Sequence, residues 1–192
     1  MNTAVKDFVL ASGSPQRIAL LRQIAYEPKK IVPADICEDC RPHEDPLPYV
    51  RRMALEKAQK VAADYPSENI LACDTIVAVG KKVLHKAKNA DEQTKVMNLL
   101  SGKTHRVISS VCLINKQGKV SQKTISSKIT MKKLTPDEIK SYVQSDDWHG
   151  VCGYRIDGCI AAYVSRILGS YSGIIGLPLY ETLNLLKGEN IR

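Results

Sequence analysis

The stretch Phe8-Val9-Leu10-Ala11-Ser12-Gly13-Ser14-Pro15-Gln16-Arg17 passes from a short apolar strand, through two serines and a glycine, into an apolar-periodic helix. Proline at the first helical position gives up nothing, because that N–H has no intrahelical acceptor, and Ser14 is placed as the N-cap. Free N–H groups at a helix start, the positive end of its dipole, hydroxyls and a guanidinium together make an anion cradle, with phosphate as the natural guest. Taken alone, the stretch reads equally well as a serine-capped helix with a surface arginine.

The helix it opens should run from Pro15 to Ala25, with Ile18, Leu20, Leu21 and Ile24 on one face. Residues 31–48 are irregular, with four prolines and several acids, and a second helix spans Pro48 to Tyr65. Val50, Met53, Ala54 and Val61 face inward on it. Lys57 shares that stripe and either snorkels out or reaches into a site. Ile70–Val79 reads as a strand, turning at Gly80-Lys81-Lys82 into Val83-Leu84. Asn89-Ala90-Asp91-Glu92 opens a helix that ends before Gly102. Val107–Ile114 is a strand, Gln117-Gly118-Lys119 a turn, and 124–131 a half-exposed strand. Thr135-Pro136-Asp137-Glu138 is a capping box for a helix to Ser145. Ile160–Ile167 is a strand, and Pro178 opens the last helix, to Leu186. Strands and helices alternate without linker or repeat, which predicts an α/β fold on a mixed sheet, one domain over residues 1–192.

The net charge of +8, from 28 basic and 20 acidic residues, favours anionic partners. The lysines are dispersed, and one Trp and one Phe give no stacking platform, so a nucleotide pocket fits better than a nucleic-acid surface. There is no apolar run of about eighteen residues, hence no membrane span. The opening Met1-Asn2-Thr3-Ala4-Val5-Lys6-Asp7 has no leader-like apolar core, so a cytoplasmic location is expected. Cys37-x-x-Cys40 lacks a second pair at zinc spacing, and Cys73 and Cys112 read as core thiols.

Asp74 is the strongest candidate for chemistry, because it interrupts the apolar run Ile70–Val79, where a carboxylate is costly without a cation or metal to compensate it. Arg17, Lys57 and Lys86 are three cations able to surround a polyphosphate, and Glu38 with Asp74 offers hard oxygens to Mg²⁺. Gly102-Lys103-Thr104 is not a Walker loop: Met97 stands where its first glycine belongs, and the triplet follows a helix.

At this point the motifs converge. Leu10–Arg17 resembles the S-x-S-P-R-R signature of the Maf-like (septum-formation-inhibitor) family. Tyr49–Lys57 is similar to that family's second-helix segment, and Cys73-Asp74-Thr75-Ile76-Val77 to its A-D-T-x-V strand. Leu99–Val107 and Gly169–Thr182 are similar to its L-S-G-x-T-H-x-V and G-S-Y-x-x-V-x-G-L-P-L-x-E-T segments. The matches run in order along nearly the whole chain. The resemblance implies a twisted mixed sheet flanked by helices, with an active-site cleft between two lobes. It also implies a cytoplasmic, often dimeric nucleoside triphosphate pyrophosphatase with a house-cleaning or division-related role. Such an enzyme requires a divalent cation, Mg²⁺ or Mn²⁺, and releases a monophosphate and pyrophosphate after water attacks the α-phosphorus. Carried over by motif, Ser12, Ser14, Arg17, Lys57 and Lys86 hold phosphates. Glu38 and Asp74 hold the metal, and Asp74 is the general base.

Three positions depart from the pattern: Gln16 replaces the first arginine of the pair, the lysine of K-A-G-x-Y is missing from Gly150-Val151-Cys152-Gly153-Tyr154, and Asp157 replaces the glutamine of I-Q-G. The first two remove positive charge. The third bears on the base: glutamine both gives and takes a hydrogen bond, as uracil and thymine require, whereas aspartate only accepts and suits an edge of donors such as guanine. Thr75, by contrast, matches family members that take dTTP and UTP, so the residues leave the base open. The alternative reading is a catalytically weakened nucleotide- or nucleic-acid-binding regulator.

Overall fold

The apolar run Ile70–Val79 forms the long third strand of a seven-stranded mixed sheet, in a computed structural model that describes residues 4–191. Residues 1–3, within the opening read above as carrying no leader, and residue 192 lie outside the described residues. The strands are β1 (Ala4–Leu10), β2 (Tyr26–Ile31), β3 (Ile70–Val79), β4 (Lys82–Leu84), β5 (Thr104–Ile114), β6 (Val120–Met131) and β7 (Val164–Leu168). They lie in the order β2-β1-β3-β5-β6-β7, with β4 beside the far half of β3. The helices are α1 (Pro15–Gln23), α2 (Pro46–Asp64), α3 (Ala90–Leu100), α4 (Pro136–Gln144), α5 (Tyr171–Ile175) and α6 (Leu179–Gly188). Among the described residues, no helix is long and apolar enough to cross a membrane.

Because side chains alternate along a strand, β3 feeds two cores. Ile70 and Ala72 pack with Ala54, Ala58 and Val61 of α2 on one face. Leu71 and Cys73 pack with Leu20 and Leu21 of α1 and Leu185 and Leu186 of α6 on the other. Farther along that second face, Val77 and Val107 join Met97 and Leu100 of α3 and Ile139 and Tyr142 of α4. Ile175 of α5 touches both clusters of that face. The predicted inward stripe of α2 holds, with Val50, Met53 and Ala54 fully buried, and Cys73 and Cys112 are core thiols as read.

The elements differ from the sequence expectation in several places: β5 starts at Thr104 rather than Val107, β6 at Val120 rather than 124, and α1 ends at Gln23 rather than Ala25. β2 was hidden by Pro28 and two lysines, residues that suit an edge strand and disfavour a central one. α2 begins at Pro46, with Asp45 as its N-cap residue. The expected strand 160–167 is a 3₁₀ turn over Cys159–Tyr163 followed by β7, because the Asp147 carboxylate accepts the Cys159 N–H (3.1 Å) and caps the turn. α5 is a further short helix, started by Ser170, whose hydroxyl accepts the Gly173 N–H (3.0 Å). The α4 capping box is complete, with Thr135 and Glu138 bonding reciprocally.

Candidate active site

β3 is paired on one edge along its whole length by β5 but is split on the other. There, β1 meets it only at Ile70 and Leu71, and β4 only from Val77 to Val79. Among the described residues, the edge from Ala72 to Ile76 has no strand partner, because the chain leaves β1 after the Ala11 N–H bonds Leu71 O (2.8 Å) and turns into α1. A cleft of about 540 Å³ opens at this split, the size of a small-molecule site and at the kind of strand divergence where α/β sheets bind ligands. Its wall carries all ten residues singled out from the sequence: Ser12, Ser14, Gln16, Arg17, Glu38, Lys57, Asp74, Thr75, Lys86 and Asp157.

One wall is the cradle. Ser14 sits at the N-cap of α1 but makes no side-chain cap; its hydroxyl bonds Gln16 Oε1 (3.1 Å) instead. The first-turn N–H groups therefore keep their capacity for an anion. Arg17 is clamped by Nη1 donating to Ser12 Oγ (2.8 Å) and Nε donating to Gly176 O (2.9 Å). Its Nη2 has no protein partner among the described residues. Gly176 O also accepts from Cys73 Sγ (3.2 Å) and Thr75 Oγ1 (3.3 Å), tying the α5 end to β3. That carbonyl is aimed by a φ of +147° at Gly176, a conformation only glycine adopts without strain. Lys86 is exposed on the opposite lip, bridged through its backbone to Cys152, whose thiol burial pushes up to about 11.

At the centre lies an ionic cluster. Alternation sends Asp74 to the α2 face, where Lys57 interrupts the apolar stripe, and Lys57 Nζ lies 2.6 Å from Asp74 Oδ1 and 2.7 Å from Glu38 Oε1. Lys57 thus neither snorkels nor is idle. Burial opposes its charge, but the two carboxylates outweigh it and raise its pKa. Burial likewise opposes ionised Glu38, yet the Lys57 hydrogen bond and the charges of Lys57, Lys86 and Arg17 hold the carboxyl below its ordinary range. Asp74 Oδ2 has no hydrogen-bond partner among the described side chains and is left for another ligand.

The loop carrying Glu38 is held by two residues that the sequence reading did not single out. Tyr49 OH donates to Glu38 O (2.6 Å) and Arg52 Nη2 to Asp39 O (3.0 Å). Arg52 is itself locked by Glu44 (2.6 Å), whose carboxyl the Arg52 hydrogen bonds bring down to about 2. Both holders sit at the start of α2, three residues apart, a spacing that puts them on one side of the helix.

The far wall is the segment 150–158. Buried His105 Nε2 lies 2.6 Å from Tyr154 OH, and Gln93 Nε2 donates to Gly153 O (2.7 Å). Burial pushes the His105 imidazole down to about 4. Asp157 is not a lone acceptor: Arg155 Nη2 and Nε reach its two oxygens at 3.3 and 3.5 Å. The sequence shows an arginine two residues before this aspartate, but only the fold shows that the two side chains meet. The carboxylates that could hold a metal are Asp74 and Glu38; Lys57 Nζ already fills the point on which Oδ1 and Oε1 converge, so a metal would take their other oxygens. Two carboxylates completed by substrate phosphates are a donor set that suits Mg²⁺ or Mn²⁺.

Several known proteins are similar to this chain along most of its length. A "dTTP/UTP pyrophosphatase" of Mesorhizobium japonicum is 43% identical over 195 residues, covering 98% of this chain and 94% of the relative. Proteins of the same name from Zymomonas mobilis (44%, covering 93% and 89%) and Paramagnetospirillum magneticum (44%, covering 94% and 95%) are equally similar. A solved HAM1 protein structure from Coxiella burnetii covers 95% of this chain and 98% of its own at 17% identity and TM-score 0.49. The family model described as Maf-like protein matches residues 7–189. The split strand with its phosphate-type cradle and buried carboxylate thus sits in a chain that belongs to the Maf-like family.

Proposed function

We propose that this protein is a nucleoside triphosphate pyrophosphatase that takes UTP and dTTP, as the names of its relatives suggest, and releases the monophosphate and pyrophosphate. The observation that carries the reading is the Glu38–Lys57–Asp74 cluster facing the Ser12–Arg17 cradle across one cleft. Phosphoryl transfer needs charge neutralisation and in-line positioning more than covalent chemistry. Ser12, Ser14, Arg17 and the α1 N-terminus hold the phosphates from one wall, and Lys57 and Lys86 from the other. Lys57 occupies Asp74 Oδ1, which turns Oδ2 to the cleft as the acceptor for a proton from the attacking water. Water oxygen bonds to the α-phosphorus, the α–β bridging bond breaks, and pyrophosphate leaves with the electron pair. Glu38 and Asp74 would hold a divalent ion, which when bound supplies Lewis-acid polarisation of phosphate oxygens. Gly150, where the family lysine is missing, and Gln16 leave this cleft with fewer cations than the family pattern.

The test incubates the full chain with Mg²⁺ or Mn²⁺ and UTP, dTTP, CTP, ATP or GTP in H₂¹⁸O, assaying pyrophosphate separately from phosphate. Pyrophosphate as first product, with the label in the monophosphate, is expected. Orthophosphate first, or no turnover on any triphosphate, overturns the reading.

A further inference from the structure

We infer that the α2-side face of β5, β6 and β7 is a docking surface for the phosphodiester backbone of a nucleic-acid duplex, separate from the cleft and independent of the reaction proposed above. On this face α2 packs over β3 and β5, where Tyr49, Val50 and Met53 meet Ile76 and Ile108. Alternation puts Arg106 on the same side as Ile108. The pairings Arg106↔Lys128, Lys128↔Leu168 and Thr130↔Arg166 carry that side outward across β6 and β7. There Ser126, Lys128, Arg166 and Leu168 are exposed. Gln122 Nε2 donates to Arg51 O (2.7 Å), which sets exposed Arg51 of α2 beside the same face. None of Arg51, Arg106, Lys128 and Arg166 lines the cleft.

The charge of this face has one sign. None of the three strands holds an Asp or Glu. Among the described residues, none of the four cations has a carboxylate partner. Asp45 and Glu138, in the flanking segments, are taken by Lys81 and Lys132. Arg106 and Lys128 stand directly opposite each other, a like-charge pair that costs stability until an anion settles between them. Hydroxyls lie among the cations: Thr104 and Thr130 Oγ1 are 2.8 Å apart, and Ser110 Oγ is 2.9 Å from Thr124 Oγ1. Cations interleaved with hydroxyls are the set that contacts phosphate and sugar. The three strands hold no Phe, Tyr or Trp on which an unpaired base could stack, so a duplex fits better than a single strand. Val120 and Leu168, its exposed apolar side chains, stand near opposite ends and offer no continuous apolar stripe to a lipid surface. From Gln122 to Thr130 the floor runs about 27 Å, the length of about eight base pairs. The cations are far apart in the chain, and only the strand register gathers them.

The test titrates the full chain with a DNA duplex of about 16 base pairs, an RNA duplex of equal length, and phosphatidylserine–phosphatidylcholine vesicles, between about 50 and 200 mM salt. Four phosphate contacts predict a slope of log K against log salt of about −3.6, a loss of about 150-fold in duplex affinity over that range. Lys128→Ser should weaken duplex binding about eightfold at about 0.1 M salt. Adding Arg166→Ser should bring the loss to about 60-fold and the slope to about −1.8, with triphosphate turnover unchanged. Should the serine variants fail to fold, Lys128→Gln with Arg166→Gln carries the same expectation. Lys95→Ser, on α3 against the opposite face of the sheet, should leave duplex binding as it is. Saturating pyrophosphate should not displace the duplex, because the cleft lies elsewhere. Binding of either duplex with this dependence meets the expectation. No duplex binding at the lowest salt overturns the inference, as does an equal loss from Lys95→Ser, displacement by pyrophosphate, or tighter binding to the vesicles than to either duplex.

Discussion

Two cation–carboxylate constellations line the cleft, and they are built in opposite ways. Glu38–Lys57–Asp74 is centred on a long helix and the central strand, with the Lys57 and Asp74 side chains 9% and 10% exposed and 2.6 Å apart. Arg155–Asp157 lies on an irregular segment, a third exposed and loosely spaced. A buried ion pair is held by its surroundings and punishes the loss of either member. A surface pair contributes little to folding and is free to trade its partner for a ligand. The central cluster thus sits on rigid elements, whereas Arg155 and Asp157 sit on a segment held in place by other residues, Tyr154 and Ile156 among them.

The contrast is best broken at its centre. Asp74→Asn should reduce kcat by about 10³-fold, the order that a positioned proton acceptor contributes, while triphosphate binding by calorimetry persists; a near-normal rate would remove the general-base role. Lys57→Met, similar in length but uncharged, leaves Asp74 buried without its cation and should destabilise the fold by roughly 3 kcal/mol in urea unfolding, besides abolishing turnover.

A third prediction concerns what holds the segment 150–158. Tyr154 is anchored on His105, whose imidazole is depressed to about 4 from an ordinary 6.5. Between those two pH values the unfolded chain binds a proton that the native state refuses, so stability falls as pH drops from about 6.5 to 4, and this contribution stops changing below that. The loss amounts to about 3 kcal/mol at most. Thermal melts of wild type and His105→Asn should differ less at pH 4.5 than at pH 7.5, because the variant lacks this titration. The smallest effect is expected on the cradle wall: Gln16→Arg, restoring the family cation beside Ser14, should lower KM several-fold, about 1 kcal/mol, with kcat unchanged. A change in kcat instead would place position 16 against the reacting atoms.

The sequence disclosed those parts that depend on local pattern. A strand passing through Ser12-Gly13-Ser14-Pro15 into a helix, an aspartate inside an apolar strand, a lysine on an apolar helical stripe and a capping box at Thr135 each break or satisfy a local rule within a few residues, and all are where they were expected. β2 and the turn at Cys159 were not legible, because an edge strand tolerates the proline and lysines that argue against a central one, and because the cap of that turn comes from Asp147, twelve residues away. The Gly176 carbonyl reaches the site only through the meeting of β3 with the end of α5.

By itself the sequence determined the chemistry available: the cations, the two carboxylates, the phosphate-type turn and the family they spell. Only the tertiary structure decided how they combine. Lys57 and Asp74 lie seventeen residues apart, and Arg17 and Gly176 one hundred and fifty-nine, so no local rule couples them. The unequal pairing of β3, with β1 leaving before β4 arrives, opens a gap in an otherwise continuous hydrogen-bonded ladder, and around that gap the dispersed charges become one site.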